Sequence, residues 1–143
     1  MVYLTRRYRF SAAHRLHSDT LSAEENQRTY GKCNNPYGHG HNYSLDVTLT
    51  GPVDPSTGMV FDIPKLDSIV QENILDRFDH THLNLDVHVF RRIVPTTENL
   101  CVEIYKLLSE ELNSPDGRVR LKSVRVEETN LNYFEYEAPT EQR

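Results

Sequence analysis

Apolar and polar residues alternate along the start of the chain. In "YLTRRYRFSAAHRL", residues 3–16, Tyr8, Phe10, Ala12 and His14 share one parity, the pattern of a strand with one buried face. The alternation returns over 39–50, where Tyr43, Leu45, Val47 and Leu49 are in phase. Between the two, "SAEENQRTYG" reads as a short helix. Ser22 can cap it, Glu25 three residues on completes a capping box, and Gly31 stops it. "GPVDPSTG" is dense in turn residues, and "MVFDI" is the expected hairpin partner beyond it.

The period then lengthens. Over 64–78, Leu66, Ile69, Val70 and Ile74 form one helical stripe, with Pro64 in the first turn. A second helix is expected over 97–113, with Thr97 as its N-cap and Leu100, Ile104, Leu107, Leu108 and Leu112 along one side. "SPDG" breaks it, and two strands near 119–128 and 132–137 pair around the "TNLN" turn. The order strand, strand, helix, helix, strand, strand predicts an α+β fold: a four-stranded antiparallel sheet with two helices packed on one face. The other sheet face is left without a cover. Its apolar residues would need one, most simply a second copy of the chain.

Length and charge narrow the picture. At 143 residues the chain suits a single domain, assigned to 1–137, with 138–143 expected to be a disordered tail. A net charge of −5 lends nothing to nucleic-acid binding. No stretch approaches the ~20 apolar residues of a membrane span. Two cysteines, Cys33 and Cys101, are too few for a disulfide framework. With no signal peptide evident, they fit a reducing, cytoplasmic compartment.

Seven histidines fall in three clusters. The sharpest lies in "YGKCNNPYGHGHNY", residues 30–43, where His39 and His41 flank one glycine. At a strand start, positions i and i+2 face the same way, so both imidazoles can reach one ion. His14, closing the inward parity of the first strand, is the candidate third ligand, and zinc suits a three-imidazole site with an open position. The plainer alternative is a pair of surface loop histidines and a satisfied core histidine. Cys33 is either a fourth ligand that closes the site or a thiolate whose pKa is lowered by the nearby cation and which acts as a base. Cys101, inside a helix, reads as an inert buried thiol.

In "FDHTHLN", Asp79 precedes His80, and a carboxylate can orient an imidazole, so Cys33, His80 and Asp79 could form a base, a shuttle and an orienter. Glu128 shares parity with Val124 and Val126, and a carboxylate on an apolar face needs a partner. That partner is either the paired N–H edge of a pterin or guanine, or an arginine of the same sheet.

With these residues in hand, the chain resembles the 6-pyruvoyl-tetrahydropterin synthase family. The likeness is carried by "FSAAHRLHS", "LSAEEN", "YGKCNNPYGHGHNY", "VDPSTGMV", "FDHTHLNLD", "PTTEN" and "VEET" and runs over nearly the whole sequence. Phe78, Tyr37 and Glu127 depart from the family pattern without touching the proposed chemistry. The resemblance implies a tunnelling fold, in which trimers close a β-barrel and two trimers stack into a homohexamer. It implies zinc on His14, His39 and His41, and a catalytic Cys33 served by Asp79 and His80 across a subunit boundary. Glu128 would be the pterin anchor, with Thr96 and Thr97 lining the pterin pocket. The implied reaction converts 7,8-dihydroneopterin triphosphate to 6-pyruvoyl-tetrahydropterin with loss of triphosphate, on the route to tetrahydrobiopterin, and leaves room for magnesium with the triphosphate. Lys32 and Arg15 are candidate triphosphate contacts by position. The rival readings are a 6-carboxytetrahydropterin synthase of queuosine synthesis and a zinc-stabilised binding module without catalysis.

Overall fold

The structure, a computed structural model, describes residues 1–139. Two long strands dominate it. β1 (Val2–His14) and β2 (His39–Gly51) pair antiparallel along their full length, with His14 opposite His39 and Ala12 opposite His41. β4 (Arg120–Thr129) pairs antiparallel with β2, and β5 (Asn132–Glu137) with β4. The turn joining β4 and β5 falls at the expected "TNLN".

The sheet is not the four-stranded antiparallel one expected. A two-residue strand, β3 (Thr81–His82), joins the free edge of β1 in parallel, giving a mixed five-stranded sheet of order β3-β1-β2-β4-β5. Two residues are too short to leave a periodic trace in the sequence. "MVFDI" forms no strand either: its Asp62 instead caps the next helix, its side chain accepting from the Lys65 N–H at 3.3 Å.

The helices follow their caps. Ser22 accepts from the backbone of Glu25 and opens α1 (Ala23–Tyr30), which Gly31 ends at φ 55. A 3-10 turn over Gly31–Asn34 carries Cys33. The expected helix over 64–78 is continuous in space but not uniform. It runs as α2 (Ile63–Val70), a π-helical turn (Gln71–Leu75) and α3 (Asp76–Phe78). Short turns α4 (Leu83–Asp86) and a 3-10 segment (His88–Arg91) lead to α5 (Thr97–Leu112). Thr96 caps α5, not Thr97: its hydroxyl accepts from Asn99 N–H at 3.2 Å, which frees the Thr97 side chain.

The helical stripes and the strand parity meet in one core. Leu45, Val47 and Leu49 of β2, Val124 and Val126 of β4, Leu66 and Val70 of α2, and Leu100, Ile104 and Leu108 of α5 are all buried within it. Cys101 is buried there too, its thiol donating to the Val124 carbonyl. Burial raises that thiol to about 11, which keeps it protonated and inert. Of the expected tail, Ala138 packs against the core, and residues 140–143 lie outside the described residues.

The opposite sheet face is polar, where apolar residues had been expected. Arg7 makes a two-pronged pair with Asp46 at 2.8 and 3.2 Å, and the Thr5 and Thr48 hydroxyls meet at 2.8 Å. The guanidinium of Arg125 lies 3.4 Å from the Tyr133 ring centre, and Lys122 pairs with Glu137. Cross-strand polar pairs satisfy much of this face, alongside the exposed rings of Tyr3 and Tyr133.

A three-histidine centre beside a carboxylate

Register builds the centre. His14 ends β1 and His39 begins β2 directly across from it, while the small Ala12 opposite His41 leaves room for the third ring. Gly38 makes the entry possible. Its φ is 75°, and a Cβ there would lie 2.8 Å from the His14 carbonyl oxygen, so only glycine lets the loop cross β1 so closely.

The three rings converge. His14, His39 and His41 each offer a nitrogen, and these atoms all lie within 4.8 Å of one another. The Nε2 atoms of His14 and His39 are 3.0 Å apart, near the ~3.4 Å edge of a tetrahedron with ~2.1 Å metal–nitrogen bonds. His14 Nδ1 lies 2.8 Å from the carbonyl of Pro95, an acceptor that fixes the tautomer with its proton on Nδ1 and leaves Nε2 as a lone pair. His39 Nδ1 and His41 Nε2 are buried without a hydrogen-bond partner.

Burial favours the neutral form of two of the rings. Burial pushes His14 down to about 4, against the Pro95 carbonyl and the Glu128 charge, and the neighbouring imidazoles add to the fall. His39 is lowered by burial and by His41. Neutral imidazoles with lone pairs aimed inward are the form that binds a metal, so the residues present fit a divalent ion such as zinc.

Glu128 completes the wall. Its Oε1 is 3.3 Å from His41 Nε2 and 3.7 Å from His14 Nε2. The first of these contacts lacks hydrogen-bond geometry, which leaves His41 Nε2 among the unpaired atoms. Asn132 donates to the other carboxylate oxygen at 3.1 Å. Among the described residues the hydrogen bond to Glu128 therefore comes from the Asn132 amide, and no arginine pairs with it. Two more buried groups stand unpaired nearby, the Tyr43 and Thr97 hydroxyls. Burial and the Glu128 charge raise Tyr43 above its ordinary range, so it stays a neutral donor. Tyr43 escaped the sequence reading because it was absorbed into the core; its parity with His39 and His41 was the available signal.

Cys33 stands outside the three-nitrogen cluster, half-buried on its 3-10 turn. Its carbonyl accepts from Leu16 N–H at 2.9 Å, which ties that turn to the chain just past His14. Asp79 and His80 lie together on the far edge of β1. His80 Nδ1 is 3.0 Å from Asp79 Oδ1, and Asp79 also accepts from the Ser11 backbone at 2.8 Å. That backbone N–H, more than the imidazole, holds the Asp79 carboxyl below its ordinary value. His80 adopts φ 60° and is largely exposed, its N–H bonded to the Ser11 carbonyl at 2.6 Å. Among the described residues no hydrogen bond or ion pair joins Cys33 to Asp79 or His80. One chain brings together the histidines, Glu128 and Thr97, and separately Asp79 with His80.

Comparison with known proteins gives the family. A family model described as 6-pyruvoyl tetrahydropterin synthase matches residues 3–139. The 6-pyruvoyl tetrahydrobiopterin synthase of Poecilia reticulata is 46% identical over 134 residues, covering 94% of this chain and 88% of the relative. Its Homo sapiens counterpart is 47% identical over 133 residues, covering 93% and 89%. The solved Caenorhabditis elegans 6-pyruvoyl tetrahydropterin synthase superposes with a TM-score of 0.90 at 44% identity, over 96% of each chain. By sequence and by structure alike, the chain belongs to the 6-pyruvoyl tetrahydropterin synthase family.

Proposed function

We propose that this chain is a zinc-dependent lyase that converts 7,8-dihydroneopterin triphosphate to 6-pyruvoyl-5,6,7,8-tetrahydropterin and triphosphate, in tetrahydrobiopterin synthesis. The observation that carries the reading is the juxtaposition of three converging imidazoles with the carboxylate of Glu128. His14, His39 and His41 would hold the metal. Zinc, when bound, supplies Lewis acidity to the hydroxyls of the substrate side chain.

Glu128 binds the paired N–H donors of the pterin edge, a match of two acceptor oxygens to two donors. Thr97 and Tyr43 offer their unpaired hydroxyls to the same ring, and Thr96, at the helix cap, holds the backbone there. Cys33 acts as the base and takes a carbon-bound proton of the side chain onto sulfur. The electrons released reduce the ring as the side chain is oxidised, so no outside hydride donor enters, and triphosphate leaves. Asp79 orients His80, which relays the proton. Because that pair does not meet Cys33 within one chain, a neighbouring subunit supplies it.

Assembly follows from the same separation. The chain forms a homohexamer of two trimers, with the polar sheet face lining a closed barrel. Its free cysteines suit the cytoplasm, and no helix among the described residues is long and apolar enough to cross a membrane. Magnesium would accompany the triphosphate.

Incubation with dihydroneopterin triphosphate, followed by mass analysis, tests the reading. A pyruvoyl product with free triphosphate is expected. A 6-carboxy product with acetaldehyde would assign the queuosine-route activity instead, and an unchanged substrate over a zinc-loaded protein would leave only a binding module.

A further inference from the structure

We propose that a basic hollow beside Pro95 seats the triphosphate of the substrate, held by Arg15, Arg91 and Arg92. The inference rests on the proposed reaction for the identity of the anion, but the site is read from charge and position. The chain as a whole carries a net charge of −5. Around this hollow of about 360 Å³ the balance is reversed. Three arginines line it against one carboxylate, Asp19, a local surplus of two positive charges.

Two links tie the hollow to the three-histidine centre. Arg15 directly follows His14, with their Cα atoms ~3.8 Å apart. Pro95, another part of the lining, is the residue whose carbonyl fixes the His14 ring at 2.8 Å. Both links place the hollow against the backbone that carries and orients His14, the direction in which a phosphate end would extend from a substrate bound at the histidines.

The arginines are also held ready. Asn84 clamps the backbone of Arg15 from both sides, accepting from its N–H and donating to its carbonyl, each at 2.9 Å. Arg15 spends its Nε on the Asn34 carbonyl at 3.2 Å and keeps its terminal nitrogens. Arg91 makes a single long bond to the Leu85 carbonyl at 3.4 Å, and among the described residues Arg92 has no side-chain hydrogen bond or ion pair. Guanidinium groups match phosphate oxygens in pairs, so three of them around one hollow suit a polyphosphate better than a single carboxylate.

Inorganic tripolyphosphate is the probe. Its affinity for the zinc-loaded protein is measured by calorimetry for the parent, Arg91→Ala/Arg92→Ala and Arg92→Glu. Both arginines are exposed, so the fold should survive, and an unchanged melting temperature checks this. The double variant should bind tripolyphosphate at least about tenfold more weakly and Arg92→Glu more weakly still, with Arg92→Lys recovering part of the loss. KM for the triphosphate substrate should rise by a similar factor, kcat should change little, and affinity for phosphate-free dihydroneopterin should stay the same. Unchanged tripolyphosphate affinity in the double variant would overturn the site. A parent that binds tripolyphosphate through these arginines but does not turn over the substrate would overturn the reaction and leave the anion site standing.

Discussion

His14 and His39 present their Nε2 atoms to each other at 3.0 Å, although 25 residues of chain separate them. With His41 they bring three ring nitrogens within 4.8 Å of one another, a cluster that Cys33 does not join. His39→Ala should therefore lower zinc content well below one per chain. Cys33→Ala should keep zinc at the parent level while turnover falls by ~10²–10⁴-fold, the usual share of a general base. Metal analysis and steady-state rates on both variants check this. Loss of zinc in step with activity in Cys33→Ala would mean that sulfur closes the site.

The separation of Cys33 from the Asp79–His80 pair makes a second forecast. Cys33→Ala and His80→Ala should each be nearly inactive alone. Unfolded together and reassembled, they should regain measurable activity, because some sites would combine an intact Cys33 with an intact His80 from another subunit. A mixture as inactive as its components would place the triad within one chain or remove His80 from it. Sedimentation at micromolar protein should show a hexamer.

Much of this was legible in the sequence, and the failures have physical causes. Parity placed His14, Tyr43 and Glu128 on the buried face, because a long paired strand enforces its period of two. β3 was invisible because two residues carry no period, yet it makes the sheet mixed and fixes the segment that begins with Asp79 and His80. Thr96 and Thr97 are equally good caps by type. Only the arrangement after Pro95 decides that Thr96 caps and Thr97 turns inward. The polar pairs of the second sheet face were not legible because Arg7 with Asp46 and Arg125 with Tyr133 meet across strands, which a linear pattern does not show.

Gly38 offers a test of backbone geometry. Gly38→Ala would hold a Cβ at φ 75° and drive it to 2.8 Å from the His14 carbonyl. A loss of about 1–3 kcal/mol in stability is expected, together with reduced zinc content as His39 is displaced. Denaturant melts and metal analysis measure both. A variant with the parent's midpoint and full zinc would show that the loop has another way in.

Asp67 joins α2 to β1. It accepts from Arg6 Nε and Nη2 at 3.1 and 3.0 Å and from the Tyr8 hydroxyl at 2.7 Å. The Arg6 hydrogen bonds, then that of Tyr8, hold its carboxyl below the ordinary value. A carboxyl depressed in the folded state stabilises fully above its unfolded pKa of ~3.9, and the contribution fades as pH falls through the folded value. Asp67→Asn should therefore be less stable than the parent near neutrality, and the two should converge as pH falls below the ordinary carboxylate range. Urea melts across that range would reject the link if the difference did not shrink with acid.

The pairing of His14 with His39 would give a bound metal a further role during folding. A sheet strand that slips by one residue turns every side chain to the other face. A one-residue slip of β1 along β2 would carry His14 out among the arginines of the polar face and leave two imidazoles where three are needed. An ion held by all three ligands would therefore be retained in only one alignment of the two longest strands. Metal supplied while the sheet assembles would act as a proofreader, favouring the chains whose strands are correctly aligned.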